Sequence, residues 1–365
     1  MEHLCLKTQC VSVFDRNGEG PYEMLERPAI DDEALASAVG NAYGMDVGSV
    51  SFLPIGFDID TAVFQLTTQG NQCFFLKLRK GGFDQSSVAI PRYLFDQGIS
   101  GIAAPLRTKD GQLHRMFDRY RMMVYPYLQG ENGFDVPLSK DQWGMLGQTL
   151  HAIHNVPLPD RLRQPLRRET FSPIWRDLLS WYLQLVSKQT FADVYADKLA
   201  SLLCRQQVRM THLVTRAAKL FAELIREPPP YVLCHGDIHG GNVMVDGVDV
   251  VNVVDWDTLL LAPKERDLMF VGGGVGGVWN DPQEVQWFYE GYGGEPVNML
   301  ALVYYRYERI AEDTAVTCQA LLDSQDGGAD REQYYCNLVE QFDKGNVLDI
   351  AEQTDALFNA VDKNR

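Results

Sequence analysis

No run of apolar residues in this chain approaches the roughly 18 that a membrane-spanning helix requires, so no membrane partner is expected. An excess of positive charge is missing too: 33 Lys and Arg stand against 49 Asp and Glu, a formal net charge of −16. Nucleic-acid surfaces need clustered Lys and Arg at phosphates, so no nucleic-acid partner is expected either. Cysteine is sparse and unpatterned, with seven residues at 5, 10, 73, 204, 234, 318 and 336 and no CxxC pair. That argues against a disulfide frame or a zinc site and for reduced thiols in a cytoplasm. The first residues lack the basic, apolar, then small-residue order of a secretory signal. Internal repeats and low-complexity segments are also lacking, and a monomer is expected. What is present is a chain of 365 residues, long enough for two substantial cores. Its acidic balance suits a small cationic substrate drawn to an acidic site.

Residues 1–28 show neither helical nor strand periodicity, and DRNGEGPYE is rich in turn formers. This stretch reads as an N-terminal extension, or as translation upstream of a start at Met24. From Asp31, acids followed by Ala and Leu at helical spacing predict a helix over 31–43. Three β-type runs follow at 50–57, 61–68 and 72–79. A helix is expected over 88–97, with Pro91 weakening it or sitting in its first turn. Runs at 112–117 and 120–128 complete a small, mostly antiparallel sheet. After Gly130 the pattern changes to long amphipathic helices over 139–154, 172–188, 193–224, 282–289 and 299–322. The expected fold is α+β with two lobes: residues 29–128 would form a small antiparallel-sheet N-lobe, and residues 129–365 a larger helical C-lobe.

The most informative stretch spans residues 231–257, YVLCHGDIHGGNVMVDGVDVVNVVDWD. Within it, Asp237 is followed five residues later by Asn242, and Asp255 closes a later β-rich run. Kinase active sites use this spacing: the first Asp accepts the proton of the attacking hydroxyl, and the Asn and later Asp hold magnesium. A carboxylate can orient a hydroxyl, and hard oxygen ligands suit magnesium bridging two phosphates. Polar loops of His, Asp, Asn and Gly are also ordinary turn chemistry. The context favours the catalytic reading: an apolar run at 231–233, strand-like runs at 243–245 and 250–254, and Asp255 at the end of the second. The expected activity is therefore phosphoryl transfer and the expected fold protein-kinase-like. Residues 29–128 would bind nucleotide and end in a hinge, and residues 129–365 would carry the catalytic loop and substrate site.

Such a site needs a cation on the nucleotide phosphates, and Lys77 in CFFLKLRK lies on the third expected strand. Strand lysines more often face solvent, but the downstream motif favours a functional role. The loop at 54–61 takes the place of a phosphate-covering loop, with Gly56 its one glycine and Asp60 or Thr61 shaping the turn. A helix glutamate to pair with Lys77 is missing, and Asp84 is the substitute considered. The segment 123–130, MVYPYLQG, reads as the hinge; Pro126 offers only its carbonyl to adenine, Leu128 its N–H, and Tyr125 would gate the pocket. Residues 272–277 satisfy GxGxxG formally but lack a strand–turn–helix context, so no dinucleotide role is assigned. His151 and His154 stand at i, i+3 without an evident metal partner, and His235 and His239 read as loop-shaping. Asp257 is either a supporting group or a turn residue.

The strings HGDIHGGN, VVDWD and APKERDL resemble the aminoglycoside phosphotransferase family. The longer stretches GENGFDVPLSKDQWGMLGQTLHAIH, LAPKERDLMFVGGGVGGVWN and YEGYG look like its spectinomycin phosphotransferase branch, and the likeness runs from about Met24 to the C-terminus. The resemblance implies ATP and Mg2+ as cofactors, Asp237 as catalytic base and Asn242 and Asp255 as metal ligands. Lys77 would hold phosphates, Pro126 and Leu128 adenine, and Asp267 would support the loop. It implies transfer to a hydroxyl of spectinomycin, the 9-hydroxyl, and a role in antibiotic resistance. Glu308, Glu312 and Asp313 are candidates for the amines of such a cationic aminocyclitol, although Arg306 and Arg309 could equally pair with them on a solvated helix face. The alternatives are a kinase of another hydroxylated amine or sugar metabolite, and a non-catalytic nucleotide-binding regulator, which the glycine-poor phosphate loop favours slightly.

Overall fold

The computed structural model describes residues 27–55, 60–247, 250–324 and 330–362. The chain runs through α1 (Asp32–Tyr43), β1 (Val47–Leu53), β2 (Thr61–Thr68), β3 (Cys73–Arg79) and α2 (Ser86–Asp96). There follow β4 (Arg115–Phe117), β5 (Tyr120–Pro126), β6 (Glu131–Asn132), α3 (Lys140–Asn155), α4 (Asp160–Arg163) and β7 (Arg167–Arg168). Then come α5 (Ile174–Val186), α6 (Val194–Leu224), β8 (Tyr231–Cys234), β9 (Val243–Asp246), β10 (Val250–Val253) and β11 (Leu260–Pro263). The last elements are α7 (Glu265–Leu268), α8 (Pro282–Tyr292), α9 (Met299–Cys318), α10 (Asp330–Glu340) and α11 (Val347–Asp362). The class is α+β, as expected, with two compact units that divide at 137/138, 156/157, 165/166, 241/242 and 258/259. The extension expected at 1–28 lies almost wholly outside the described residues, and Gly56 lies outside them too.

The first unit holds a five-stranded sheet in the order β1-β2-β3-β5-β4, every pair antiparallel. The period-2 alternation of its strands decides its faces. Phe64, Leu76 and Val124 stand in register, as do Ala62, Leu78 and Met122, and all are buried against Leu35 and Val39 of α1. Asp31 caps α1, its side chain accepting from Ala34 N, so the helix starts where acids precede Ala and Leu. On the sheet's opposite face Lys77 lies in register with Val63 and Met123, and Arg79 with Thr61 and Arg121. Helix α2 begins two residues before the expected 88, and Pro91 sits inside it rather than in its first turn. The carbonyl that Pro91 cannot bond belongs to Ser87, one of the first residues of the helix.

A second, three-stranded sheet of this unit runs β10-β9-β6. Glycine is required at Gly130, where φ is 114° and a Cβ would lie 2.0 Å from the Val245 carbonyl oxygen. This close approach lets the segment after β5 pass directly into β6 and its pairing with β9.

The second unit is helical. Helices α3 and α8 meet backbone to backbone, since a Cβ on Gly291 would lie 2.1 Å from Gly144 O and one on Gly147 2.3 Å from Phe288 O. Helix α9 is buried nearly all round through Tyr304, Tyr305, Tyr307, Ile310, Ala311 and Ala315. It ends at Cys318 and continues as a wider π turn over Gln319–Asp323. A small sheet in the order β7-β11-β8 leads into the loop at 235–241. Among the described residues no helix is long and apolar enough to cross a membrane.

Candidate active site

The loop after β8 is built around one buried carboxylate. Asp267, fully buried at the end of β11 and α7, accepts hydrogen bonds from His235 N at 2.8 Å and Gly236 N at 2.7 Å. His154 Nε2 lies 3.0 Å from Asp267 Oδ2, and His154 Nδ1 lies 2.7 Å from the Tyr292 hydroxyl. An ionised carboxylate only accepts, so Nε2 carries the proton in this contact. Burial alone would push the Asp267 carboxyl up; His154, His235 and the Gly236 N–H outweigh it and hold the group below the usual carboxylate range. Cys234 completes a buried cluster with His154 and Asp267. Its thiol donates instead to the Ala262 and Pro263 carbonyls, and burial raises its pKa, which suits a structural role better than a metal-ligating one.

Gly236, at φ 89°, turns the chain into Asp237. Arg309 Nη1 donates to Asp237 Oδ1 at 2.7 Å, and His239 Nε2 lies 3.4 Å from Asp237 Oδ2. Burial opposes the charge on Asp237, but Arg309 and then His239 and His235 hold its carboxyl far below the ordinary range. Arg309 Nε in turn lies 2.8 Å from Asp313 Oδ1. Glu312 lies beside Arg266, 3.8 Å between Oε2 and Nη2, and burial raises its pKa against the pull of Arg266 and Arg309. Of the three acids singled out on α9, Asp313 is therefore joined to Asp237 through Arg309. Glu308 is buried and bonded to Arg176, whose Nη1 also donates to the Tyr304 hydroxyl at 3.1 Å. Burial pushes the Glu308 carboxyl up to about 7 despite Arg176.

The first unit carries the other polar set. Strand β9 starts immediately after Asn242 and β10 ends at Val253; Val243 and Val253 are paired, and Val254 N donates to the Asn242 carbonyl at 3.0 Å. This hairpin brings the Asn242 and Asp255 segments side by side. Asp255 adopts φ 57°, uncommon for a non-glycine residue, and its side chain is 53% exposed. One amide oxygen and one exposed carboxylate are the hard donors that magnesium takes while keeping several of its waters, so these residues fit that ion.

Lys77 Nζ lies 3.3 Å from Asp255 Oδ1 and 2.7 Å from Asp257 Oδ2, and Arg79 Nη1 lies 2.8 Å from the same Asp257 oxygen. Burial disfavours the Lys77 ammonium, but Asp255 and Asp257 outweigh it and raise its pKa. Lys77 thus pairs with Asp257, and more distantly with Asp255, rather than with Asp84. Asp84 instead lies in the turn just before α2, Oδ1 accepting from Ser86 N at 2.8 Å. Two signals for this were in the sequence: alternation puts Lys77 and Arg79 on one strand face, and DWD offers two carboxylates two residues apart. Thr61 opens β2 opposite Arg79, while Pro126 ends β5 opposite Phe74 with Leu128 two residues beyond it. Tyr125 packs edge to face on Phe75, with ring centroids 6.4 Å apart.

A five-stranded antiparallel sheet bearing a paired lysine, and a helical unit bearing an aspartate loop, define a kinase-like phosphotransferase. Residues 51–302 match the phosphotransferase enzyme family abbreviated APH, and the chain belongs to that family. It is 36% identical to a spectinomycin phosphotransferase, APH(9)-Ia, whose crystal structure holds ADP and spectinomycin. That match has a TM-score of 0.85 and covers 90% of this chain and 99% of the other. An aminoglycoside phosphotransferase from Alicyclobacillus acidocaldarius shares the fold at 13% identity and a TM-score of 0.57, covering 91% and 98% of the two chains. Protein StrN of Streptomyces griseus is 29% identical over 181 residues, 48% of this chain, and the match spans 55% of that relative's length.

Proposed function

We propose that this phosphotransferase moves the γ-phosphoryl group of ATP to the 9-hydroxyl of spectinomycin and thereby confers resistance. The observation that carries the reading is the 36% identity, over nearly the whole of both chains, to an enzyme crystallised with ADP and spectinomycin. In this reading residues 29–128 bind nucleotide, and residues 129–365 carry the catalytic loop and the acceptor. Lys77 holds the phosphates, the 54–61 loop with Gly56 and Thr61 covers them, and the Pro126 carbonyl and Leu128 N–H take adenine. Asn242 and Asp255 hold Mg2+, which when bound offsets phosphate charge. Asp237 orients the acceptor hydroxyl. Its oxygen forms the new bond to phosphorus, the bond to the ADP oxygen breaks, and the hydroxyl proton passes to Asp237. Catalysis rests on positioning and charge, as phosphoryl transfer allows. Glu312 and Asp313 are the acids we assign to the substrate amines, with Glu308 one turn behind them in contact with Arg176. A monomer working in the cytoplasm completes the reading.

The test is ADP release from Mg-ATP with and without spectinomycin, with the added phosphate confirmed by mass. Asp237→Asn is expected to abolish spectinomycin-dependent release while leaving the melting profile near wild type. Wild-type turnover in that variant would overturn the assignment. Silence with spectinomycin, alongside release with another hydroxylated amine or a sugar, would move the acceptor and keep the kinase. ATP binding without any release would favour a non-catalytic regulator.

A further inference from the structure

Arg309 has no part in the reading above, yet it touches the proposed base. It projects from α9, a helix fixed by its buried Tyr304, Tyr305, Tyr307 and Ile310. Its guanidinium lies against the Phe270 ring at 5.4 Å from the centroid. Nη1 donates to Asp237 Oδ1 at 2.7 Å, while Nε stands 2.8 Å from Asp313 Oδ1. Asp313 is held from its other side by Gln341 Nε2, 3.0 Å from Oδ2. The directed hydrogen bond of the fork goes to Asp237, while Asp313 meets the same guanidinium as a close ion pair; a lysine would bring a single point charge in place of both contacts.

We infer that Arg309 is a positioning residue for phosphoryl transfer: anchored by Asp313, it fixes the orientation of Asp237 by holding Oδ1. The inference rests on the assignment of Asp237 as the base. It also bears on proton transfer. The groups facing Asp237 are Arg309, His239 and His235, and those facing Arg309 are Asp237, Asp313 and Glu312. With Arg309 in place, burial is overridden and Asp237 stays ionised throughout the working pH range. Such a carboxylate is a weak base and a well-directed acceptor, which matches a transition state in which the proton moves late. Without Arg309, burial acts with less opposition, and the carboxyl rises toward the range where it is protonated.

The variants are Arg309→Gln, Arg309→Lys and Asp313→Asn in the full chain, assayed with the acceptor that wild type phosphorylates. Arg309→Gln is expected to lower kcat roughly 100-fold, with nucleotide KM unchanged. The acid limb of its rate profile should move up in pH, since burial then meets less opposition at Asp237. Arg309→Lys keeps the charge but loses the two-point hold, so kcat should fall while the acid limb stays close to wild type. Asp313→Asn removes both the anchor and an acid assigned to the acceptor, so kcat should fall and the acceptor KM rise together, whereas Arg309→Gln should act on kcat. Unchanged kcat and an unchanged acid limb in folded Arg309→Gln overturn the inference. Should wild type phosphorylate nothing offered, the acceptor assignment has failed, and the hold is read from urea unfolding of Arg309→Gln, Asp237→Asn and the double variant. Losses smaller in combination than in sum sustain it; additive losses overturn it.

Discussion

Replacing Asp267 by alanine tests how the loop that bears the proposed base, Asp237, is held. The substitution leaves two buried backbone N–H groups, those of His235 and Gly236, without their acceptor, and removes the partner of His154 Nε2. Each stranded donor costs about 1–3 kcal/mol, and breaking a buried charge-assisted network at one member costs about 3–5 kcal/mol. The larger figure governs, because Asp267 is fully buried and water cannot take its place without opening the unit. With a urea slope of about 3 kcal/mol per M, the unfolding midpoint should fall by about 1 to 1.7 M. Asparagine keeps one acceptor oxygen and should lose less. The sign with pH follows from the depressed carboxyl of the folded state. Its stabilisation is fully present above the unfolded value of about 3.9 and is lost as pH falls from there through the folded value. The difference between wild type and variant should therefore shrink below about pH 4. His154→Ala should also cost less in the Asp267→Ala background than alone. A midpoint within about 0.3 M of wild type at neutral pH, or equal costs of His154→Ala in both backgrounds, would refute the three-point hold.

Two other outcomes follow from packing and burial. Gly291→Ala should destabilise by about 2 kcal/mol or more, because a Cβ placed 2.1 Å from Gly144 O forces α3 and α8 apart, outweighing a helix-propensity gain of about 1 kcal/mol; a variant that melts above wild type refutes the close approach. Glu308, with its carboxyl pushed up to about 7 from 4.5, binds a proton more tightly when folded, so its contribution to stability is lost as pH rises between those values. Glu308→Gln should flatten the fall in melting temperature across that window, and parallel pH profiles for the two proteins would contradict it.

What could be read in the sequence depended on the range over which each signal acts. The helix at Asp31, the strands around Lys77 and the hairpin closed by Asp255 announce themselves through local periodicity and caps, and the structure has all of them. Strand β11 went unread, since LLAP is too short for any alternation and exists through pairing with β8. Helices α10 and α11 were likewise not anticipated, the first being strongly polar. Asp84 lay near Lys77 along the chain and attracted the pairing, whereas the observed partner, Asp257, is 180 residues away. The tie between Arg309 and Asp237 spans 72 residues and has no local signature. The acidic cluster on α9 was visible as composition, but only packing separates Glu308, facing Arg176, from Asp313, facing Arg309.

The hold on the 235–241 loop also sets an order of assembly. Its groups come from residues 154, 235, 236, 267 and 292, so no local stretch of chain can form it alone. Helix α3, strand β8, helix α7 and helix α8 must all have docked before Asp267 can receive its donors. The loop that presents Asp237 thus has its native shape only where all of these elements are packed together. A chain caught partway through folding, or opened by heat, would keep much of its helix yet lack an aimed carboxylate. Competence for chemistry thereby becomes a report on complete folding rather than on secondary structure.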